Sequence, residues 1–426
     1  MKKKVLIFPA GTEIAFEILN ALKHSKFVEI YGGTSADDHS EFVYKNLIKG
    51  FPYVNDPDFI EYINEVIKQY GIEYIYPAHD DASLYLSKHS EKINAVIISA
   101  NYETVRICRS KSSSYEYFGD CHFIPKTYCN IESINKYPVF VKPDVGQGSA
   151  GAKKINTYDQ LKAELEYNKG LVINEYLPGM EYTVDCFTDG EGKLRVVKLR
   201  NRERIKAGIS VRSRALEVDC DVMKIANKIN EKLVFKGAWF FQLKKNENNE
   251  YRLMEISARI PGTMGLSRNL GINFPLLTLF VFFGYDVGII DNGYDIVLDR
   301  AFYNSYRIKM NYEYVYVDYD DTIIIDGKVN LMMLTFLYQA REKGKKIVIL
   351  SKHIGDIYDD MKAYRLCPEL FDEIIVLDKN EEKMNYIKEH KAIFIDDSYA
   401  ERLRVSKALN IPVFDVDMIE SLIDWK

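Results

Sequence analysis

Long apolar runs are missing from this chain. Its most apolar stretch, residues 274–283, is too short to span a bilayer and reads as a buried helix. The opening Met1-Lys-Lys-Lys-Val-Leu-Ile-Phe-Pro9 has an apolar run too short for a signal peptide. Cysteine is sparse and scattered (Cys108, Cys121, Cys129, Cys186, Cys220, Cys367), with no Cys-x-x-Cys pair and no metal spacing. These read as reduced thiols in a cytoplasmic protein. There is no basic block or stripe. The net charge is −5 with both signs mixed throughout, so neither nucleic acid nor a membrane is an expected partner. The N-terminal segment holds no Gly-x-Gly-x-x-Gly, so a dinucleotide is not indicated there.

What is present is length and apolar content. The 426 residues predict two or three domains, and 47% apolar residues supply full cores. The first hundred residues alternate between strand and helix. Strands are predicted over 5–8, 28–31, 74–77 and 95–98, and helices over 13–22 and 57–70. That alternation implies a parallel sheet, whose ligands sit beyond the carboxyl ends of the strands. Gly11, Thr12, Thr34, His79 and Asp80 fall on that edge. They form a substrate-facing rim or are ordinary turn residues.

The next feature is Val139-Phe-Val-Lys-Pro-Asp-Val-Gly-Gln-Gly-Ser-Ala-Gly151. A short strand ends at Lys142, and Gly146, Gly148 and Gly151 follow, with Ser149 among them. Glycine lets backbone N–H groups face a ligand with no Cβ in the way. A cation beside several free N–H groups makes a phosphate cradle. It is not a P-loop, because Ala152 and Lys153 stand where that motif needs Lys and Ser or Thr. Further on, 237–243 and 251–256 read as an antiparallel pair carrying Gln242 and Glu255 near adjoining ends. An amide oxygen facing a carboxylate suits Mg²⁺, which shares oxygen ligands with phosphates. Arg259 follows closely and has the fork that holds a terminal phosphate.

These motifs together resemble the ATP-grasp superfamily, in its carbamoyl-phosphate-synthase-like and amino-acid-ligase branch. The resemblance is carried by Val141-Lys-Pro-Asp-x-Gly-x-Gly-Ser-x-Gly151, Asn174-Glu-Tyr-Leu-Pro-Gly-x-Glu-Tyr-Thr-Val-Asp185, Gln242 and Met254-Glu-Ile-Ser-Ala-Arg259. It implies that Lys142, Lys111 and the glycine loop bind ATP phosphates. It implies that Glu175 and Leu177 meet the adenine and that Glu181 binds the ribose. Gln242, Glu255 and Ser257 are the implied Mg²⁺ ligands, with Mn²⁺ as an alternative metal, and Arg259 the implied γ-phosphate contact. The family has Asn where this chain has Ser257, a shorter side chain that weakens one metal contact. Arg202, Arg204, Ser210, Arg212 and Arg214 lie where this branch places substrate contacts, or form a solvated strand face. The implied chemistry is activation of a small carboxylate as an acyl phosphate, followed by attack of an amine.

The last third opens a new unit. Tyr314-Val-Tyr-Val-Asp-Tyr-Asp-Asp-Thr322 is an apolar strand ending in Asp318 and Asp320, which extended-chain alternation puts on one side. Further strands end in Ser351-Lys-His353 and in Asp396-Asp397-Ser398, with Lys379 and Lys383 before the latter. Acidic pairs at two strand ends signal Mg²⁺. This arrangement resembles the haloacid-dehalogenase phosphatases. The resemblance implies Asp318 as nucleophile, Asp320 as acid/base, and Asp318, Asp320 and Asp396 at the metal. It implies Ser351 at the phosphoryl group with a lysine, either Lys379 or Lys383, of which the distance before Asp396 favours Lys383. The short inter-motif segments leave no room for a cap.

The expected architecture is therefore multidomain, α/β and α+β: an N-terminal parallel α/β domain over 1–110, an ATP-grasp domain over 111–308, and a capless, Rossmann-like phosphatase domain over 312–426. The expected function is a bifunctional ATP-dependent carboxylate–amine ligase and phosphatase. The expected partners are a small carboxylate, an amine and a phosphorylated substrate, with a homodimer left open. The alternatives are an ATP-dependent phosphotransferase and a nucleotide-binding regulator in which only the last third is active.

Overall fold

The structure, a computed structural model, describes residues 2–146, 148, 150–206 and 208–426. The chain forms two compact units, 1–302 and 303–426. Among the described residues, no helix is long and apolar enough to cross a membrane.

The first unit opens with a five-stranded parallel sheet. Its order is Leu47–Lys49, Val28–Thr34, Lys3–Phe8, Tyr74–Pro77, Val96–Ile97. The central strand Lys3–Phe8 is buried from Val5 onward, as a strand covered on both faces should be. The helix Glu13–Leu22 starts where Thr12 accepts a hydrogen bond from the Ala15 N–H and so supplies one missing helical partner. The edge strand Leu47–Lys49 was not predicted, since three residues carry too little periodicity to read.

Two antiparallel sheets follow. The smaller has the order Lys153–Ile155, Val139–Pro143, Leu171–Glu175. The larger runs Arg204–Lys206, Ile209–Leu216, Leu194–Asn201, Glu181–Thr188, Gly237–Lys245, Tyr251–Ser257, with Val297–Asp299 paired to Ile209–Leu216. The boundary expected near residue 110 falls inside this unit, where both parts share apolar clusters. One cluster joins Val5, Ile7 and Ile18 to Phe187, Phe274 and Leu279. The stretch expected as a buried helix is Phe274–Phe282, and it lies in that cluster.

The second unit is a five-stranded parallel sheet in the order Glu373–Val376, Lys346–Ser351, Tyr314–Val317, Ala392–Ile395, Val413–Phe414. Its connections carry a small hairpin (Ile324–Ile325 with Lys328–Val329) and single helices such as Leu331–Glu342 and Ile357–Ala363. Asp318, Ser351 and Asp396 therefore gather at the carboxyl ends of neighbouring strands.

Candidate active sites

A cavity of about 460 Å³ lies in the first unit. Asp80 reaches it from the parallel sheet, Lys142 from the smaller antiparallel sheet, and Gln242 and Glu255 from the larger one. Val139–Pro143 is paired on both sides, which buries Lys142. The Lys142 Nζ donates to the Tyr115 hydroxyl at 2.7 Å and to the Met254 carbonyl at 3.0 Å. Burial, with repulsion from Lys111 added, pulls Lys142 from the usual 10.5 down to about 7. Lys111 donates to the Asp144 carbonyl at 3.2 Å, and burial lowers its pKa too. Gly208 has φ +75°, and a Cβ there would stand 1.8 Å from the Gly148 carbonyl oxygen. Glycine is required where these two loops meet.

Gln242 and Glu255 are directly paired residues of adjoining strands. The Gln242 Oε1 accepts from Arg202 Nη1 at 2.7 Å, and Arg202 Nη2 donates to the Gly208 carbonyl at 2.9 Å. Glu181 pairs with Lys244 at 3.0 Å and lies 3.6 Å from Arg202. Behind them Arg200 and Asp185 form an ion pair at 2.9 Å with side chains 2% and 0% exposed. Arg259 grips Asp80 with two bonds, Nε to Oδ1 at 2.8 Å and Nη2 to Oδ2 at 2.6 Å. Ser257 Oγ donates to the same carboxylate at 3.0 Å. Burial alone would raise the Asp80 carboxyl; Arg259, with Arg109 and Ser257, outweighs it and holds Asp80 at about 2. A smaller pocket beside Lys142 is lined by Tyr115, Glu175, Leu177 and Glu181.

In the second unit Asp318, Asp396 and Asp397 bring carboxylate oxygens within 4.8 Å of one another. Lys383 Nζ lies 2.8 Å from Asp318 and 2.6 Å from Asp396. Burial and the Asp318 charge still push Asp396 up to about 6, because one lysine does not offset both. The Ser351 Oγ is buried and has no hydrogen-bond partner. Thr322 Oγ1 accepts from the Asp397 N–H at 3.2 Å, and Ser398 N–H caps Asp396 at 2.8 Å. Asp320 stands apart, with both carboxylate oxygens 3.0 Å from His353 Nδ1.

Residues 168–293 match a family model described as ATP-grasp in the biosynthetic pathway with Ter operon. Solved structures share the fold. N5-carboxyaminoimidazole synthetase from Staphylococcus aureus aligns with TM-score 0.58 and 15% identity, over 70% of this chain and 82% of that one. The biotin carboxylase–βγ-ATP complex from Campylobacter jejuni aligns with TM-score 0.57 and 16% identity, over 68% and 72%. L-amino acid ligase from Bacillus licheniformis aligns with TM-score 0.52 and 16% identity, over 66% and 73%. The first unit contains an ATP-grasp fold. No curated protein matches the chain by sequence.

In the ATP-grasp unit, the main cavity is lined by Lys111, Lys142, Gly146, Gly148, Glu181, Gln242, Glu255, Ser257 and Arg259. Glu175 and Leu177 line the smaller pocket instead. Gly151 lies in the turn after the cradle with φ +73°, packed on Pro143. Ser149 lies outside the described residues. Two expected residues have partners in the fold. Ser257, expected at the metal, lines the cavity and donates its hydroxyl to Asp80 at 3.0 Å. Arg259 was expected to face a phosphate, but its fork is closed on Asp80. Of the five strand residues, Arg202 and Ser210 line the cavity. Arg204 and Arg212 pair with Asp299, and Arg214 with Asp295, on the solvated face.

The second unit brings one further correction. Asp320 was expected beside Asp318 at the metal, but the strand ends at Val317, so alternation no longer governs the next residues. Asp397 takes the third place in the carboxylate cluster. Tyr115, Asp185 and Arg200 were missed as site residues altogether. Asp185 shares a strand side with Glu181 and Thr183, and the strand is buried from Thr183 onward, so no local pattern marked it.

Proposed function

We propose that the ATP-grasp unit is an ATP- and Mg²⁺-dependent carboxylate–amine ligase, and that the second unit is a capless phosphatase of the haloacid-dehalogenase type. In this reading 1–110 and 111–308 share the ligase work and 312–426 the hydrolysis. The observation that carries the ligase reading is the set of cations, Lys111, Lys142 and Arg202, around the Gln242–Glu255 oxygen pair in one cavity. Two protein oxygens with phosphate oxygens completing the shell fit Mg²⁺, which neutralises phosphate charge when bound. Gln242 and Glu255 would hold it. Lys142 and Lys111 bind and orient the nucleotide, and the small pocket takes its base. Arg259 exchanges Asp80 for the phosphate or the substrate carboxylate. A substrate carboxylate oxygen then bonds to the γ-phosphorus as the β–γ bridge breaks and ADP leaves. An amine nitrogen attacks the acyl carbon, loses a proton, and phosphate departs.

ADP release tests this, measured with Mg²⁺ and a panel of amino acids and other carboxylates on Asp318→Asn protein, so that phosphatase turnover is removed. Substrate-stimulated release is expected, and Glu255→Gln should lower it by about 100-fold. ATP binding without stimulated release across the panel would favour the regulatory reading, which Ser257's commitment to Asp80 keeps in play. Phosphorylated substrate without amide would select the phosphotransferase.

Lys142 adds a second prediction. At pH 8 a lysine held near 7 is mostly neutral, and a polyphosphate beside it restores the charge. Binding of a non-hydrolysable ATP analogue with Mg²⁺ should therefore take up about 0.9 proton at pH 8. Affinity should weaken as pH rises above 7. Calorimetry in HEPES and Tris reads the uptake directly. Equal heats in both buffers, or the same uptake in Lys142→Met, would sink the assignment.

The phosphatase reading rests on Asp318, Asp396 and Asp397 clustered around Lys383, with the unpartnered Ser351 hydroxyl nearby in the fold. Three convergent carboxylates fit Mg²⁺, and Asp318, Asp396 and Asp397 would hold it. Asp318 bonds to phosphorus as the ester P–O bond breaks, and the leaving oxygen takes a proton from Asp320. Water then attacks phosphorus, gives its proton to Asp320, and Asp318 is released with inorganic phosphate.

A further inference from the structure

We propose that His353 is the positioning residue for Asp320, fixing the carboxylate that exchanges protons with the leaving group. This rests on the phosphatase reading above. The second unit divides its acids into two sets. Asp318 and Asp396 are buried and share Lys383. Asp320 lies in the loop beyond the strand end, with its side chain 49% exposed. An exposed carboxylate samples several rotamers and spends little time in line with a leaving oxygen. His353 removes that freedom. Its Nδ1 is 3.0 Å from both Asp320 oxygens, so one nitrogen spans the whole carboxylate edge.

The imidazole is itself well anchored. Its side chain is only 10% exposed. The ring meets Tyr319 edge-on, with centroids 5.4 Å apart at 85°. Ser351 closes the strand Lys346–Ser351 two residues earlier, so the rigid sheet sets the backbone position. Tyr319 and Asp320 are neighbours in the chain. His353 thus braces one loop twice, through the Tyr319 ring and through the Asp320 carboxylate. A rigid support behind an otherwise mobile acid is what holds a reacting group within the tolerance that catalysis needs. The alternative is that His353 only packs on Tyr319.

Leaving-group dependence separates the two. Protonation matters little for p-nitrophenolate and much for phenolate, whose acid is far weaker. The variants are His353→Phe, which keeps the ring against Tyr319 but lacks Nδ1, and His353→Asn, whose amide nitrogen replaces the donor. Steady-state hydrolysis of p-nitrophenyl phosphate and phenyl phosphate is measured on the full chain with Mg²⁺, with Asp318→Asn as background. His353→Phe should lose about 100-fold in kcat/KM, which reports the leaving-group step alone, on phenyl phosphate and less than about threefold on p-nitrophenyl phosphate. His353→Asn should recover most of the phenyl phosphate rate. Equal losses on both esters, or no rescue by His353→Asn, overturn the positioning role and leave the phosphatase standing. Failure of the unaltered protein to hydrolyse either ester overturns the phosphatase reading, and the proposal with it. If His353→Phe does not fold, the ratio of the two esters in His353→Asn and His353→Gln decides, since Gln displaces the nitrogen and should behave as the loss.

Discussion

Replacing Lys383 by methionine is expected to destabilise the second unit by about 3–5 kcal/mol and to abolish phosphomonoester hydrolysis. The lysine is a charge bridge between two buried carboxylates. Its side chain is 4% exposed, and those of Asp318 and Asp396 are 8% and 0% exposed. Taking it away leaves two buried carboxylates facing one another. They cannot both stay ionised at that separation, so one must bind a proton or the strand ends must part. The raised pKa of Asp396 shows that the balance is close even with the lysine in place. A divalent cation can supply the missing charge, so millimolar Mg²⁺ should restore part of the stability and none of the activity. Urea unfolding with and without Mg²⁺ measures the stability, and p-nitrophenyl phosphate hydrolysis the activity. A loss below about 1 kcal/mol would place Lys383 among ordinary surface pairs and undo the reading of this cluster.

Asp185→Asn is expected to cost the first unit about 3–5 kcal/mol, for the same reason with the signs reversed. Arg200 would keep its charge, because a guanidinium does not deprotonate in a protein. It would be left in the cavity wall without its anion, at an exposure of 2%. Ser267 Oγ, which lies 3.5 Å from Asp185, offers no charge in exchange. Breaking one side of the pair is the costly step. Removing both charges in Asp185→Leu with Arg200→Met should recover most of the stability. Substrate-stimulated ADP release should not return in that double variant, since Arg200 also lines the cavity. Thermal unfolding of the two variants decides the point. If the double variant is less stable than Asp185→Asn, the pair contributes more than mutual neutralisation.

Much of the scaffold was legible along the chain. The helix Glu13–Leu22 and the strands Tyr74–Pro77, Glu181–Thr188 and Ala392–Ile395 fall where the apolar period places them. Their caps and turns are local chemistry, written within three or four residues. The edge strands Leu47–Lys49 and Arg204–Lys206 were not legible, since they are short and their pairing comes from a neighbour. The same division holds at the sites. The residue types at Lys142, Glu255, Asp318 and Asp396 are set by motifs that span a single strand end. Their partners are not. Arg259 meets Asp80 across 179 residues, and Lys142 meets the Met254 carbonyl across 112. Asp320 turns to His353 rather than to the carboxylate cluster because the strand stops at Val317. Which chemical groups stand at the strand ends follows from alternation and turn chemistry, which act locally. Which of those groups are neutralised, braced or left facing the cavity depends on burial and charge pairing, and these come from segments that meet only after the chain has folded.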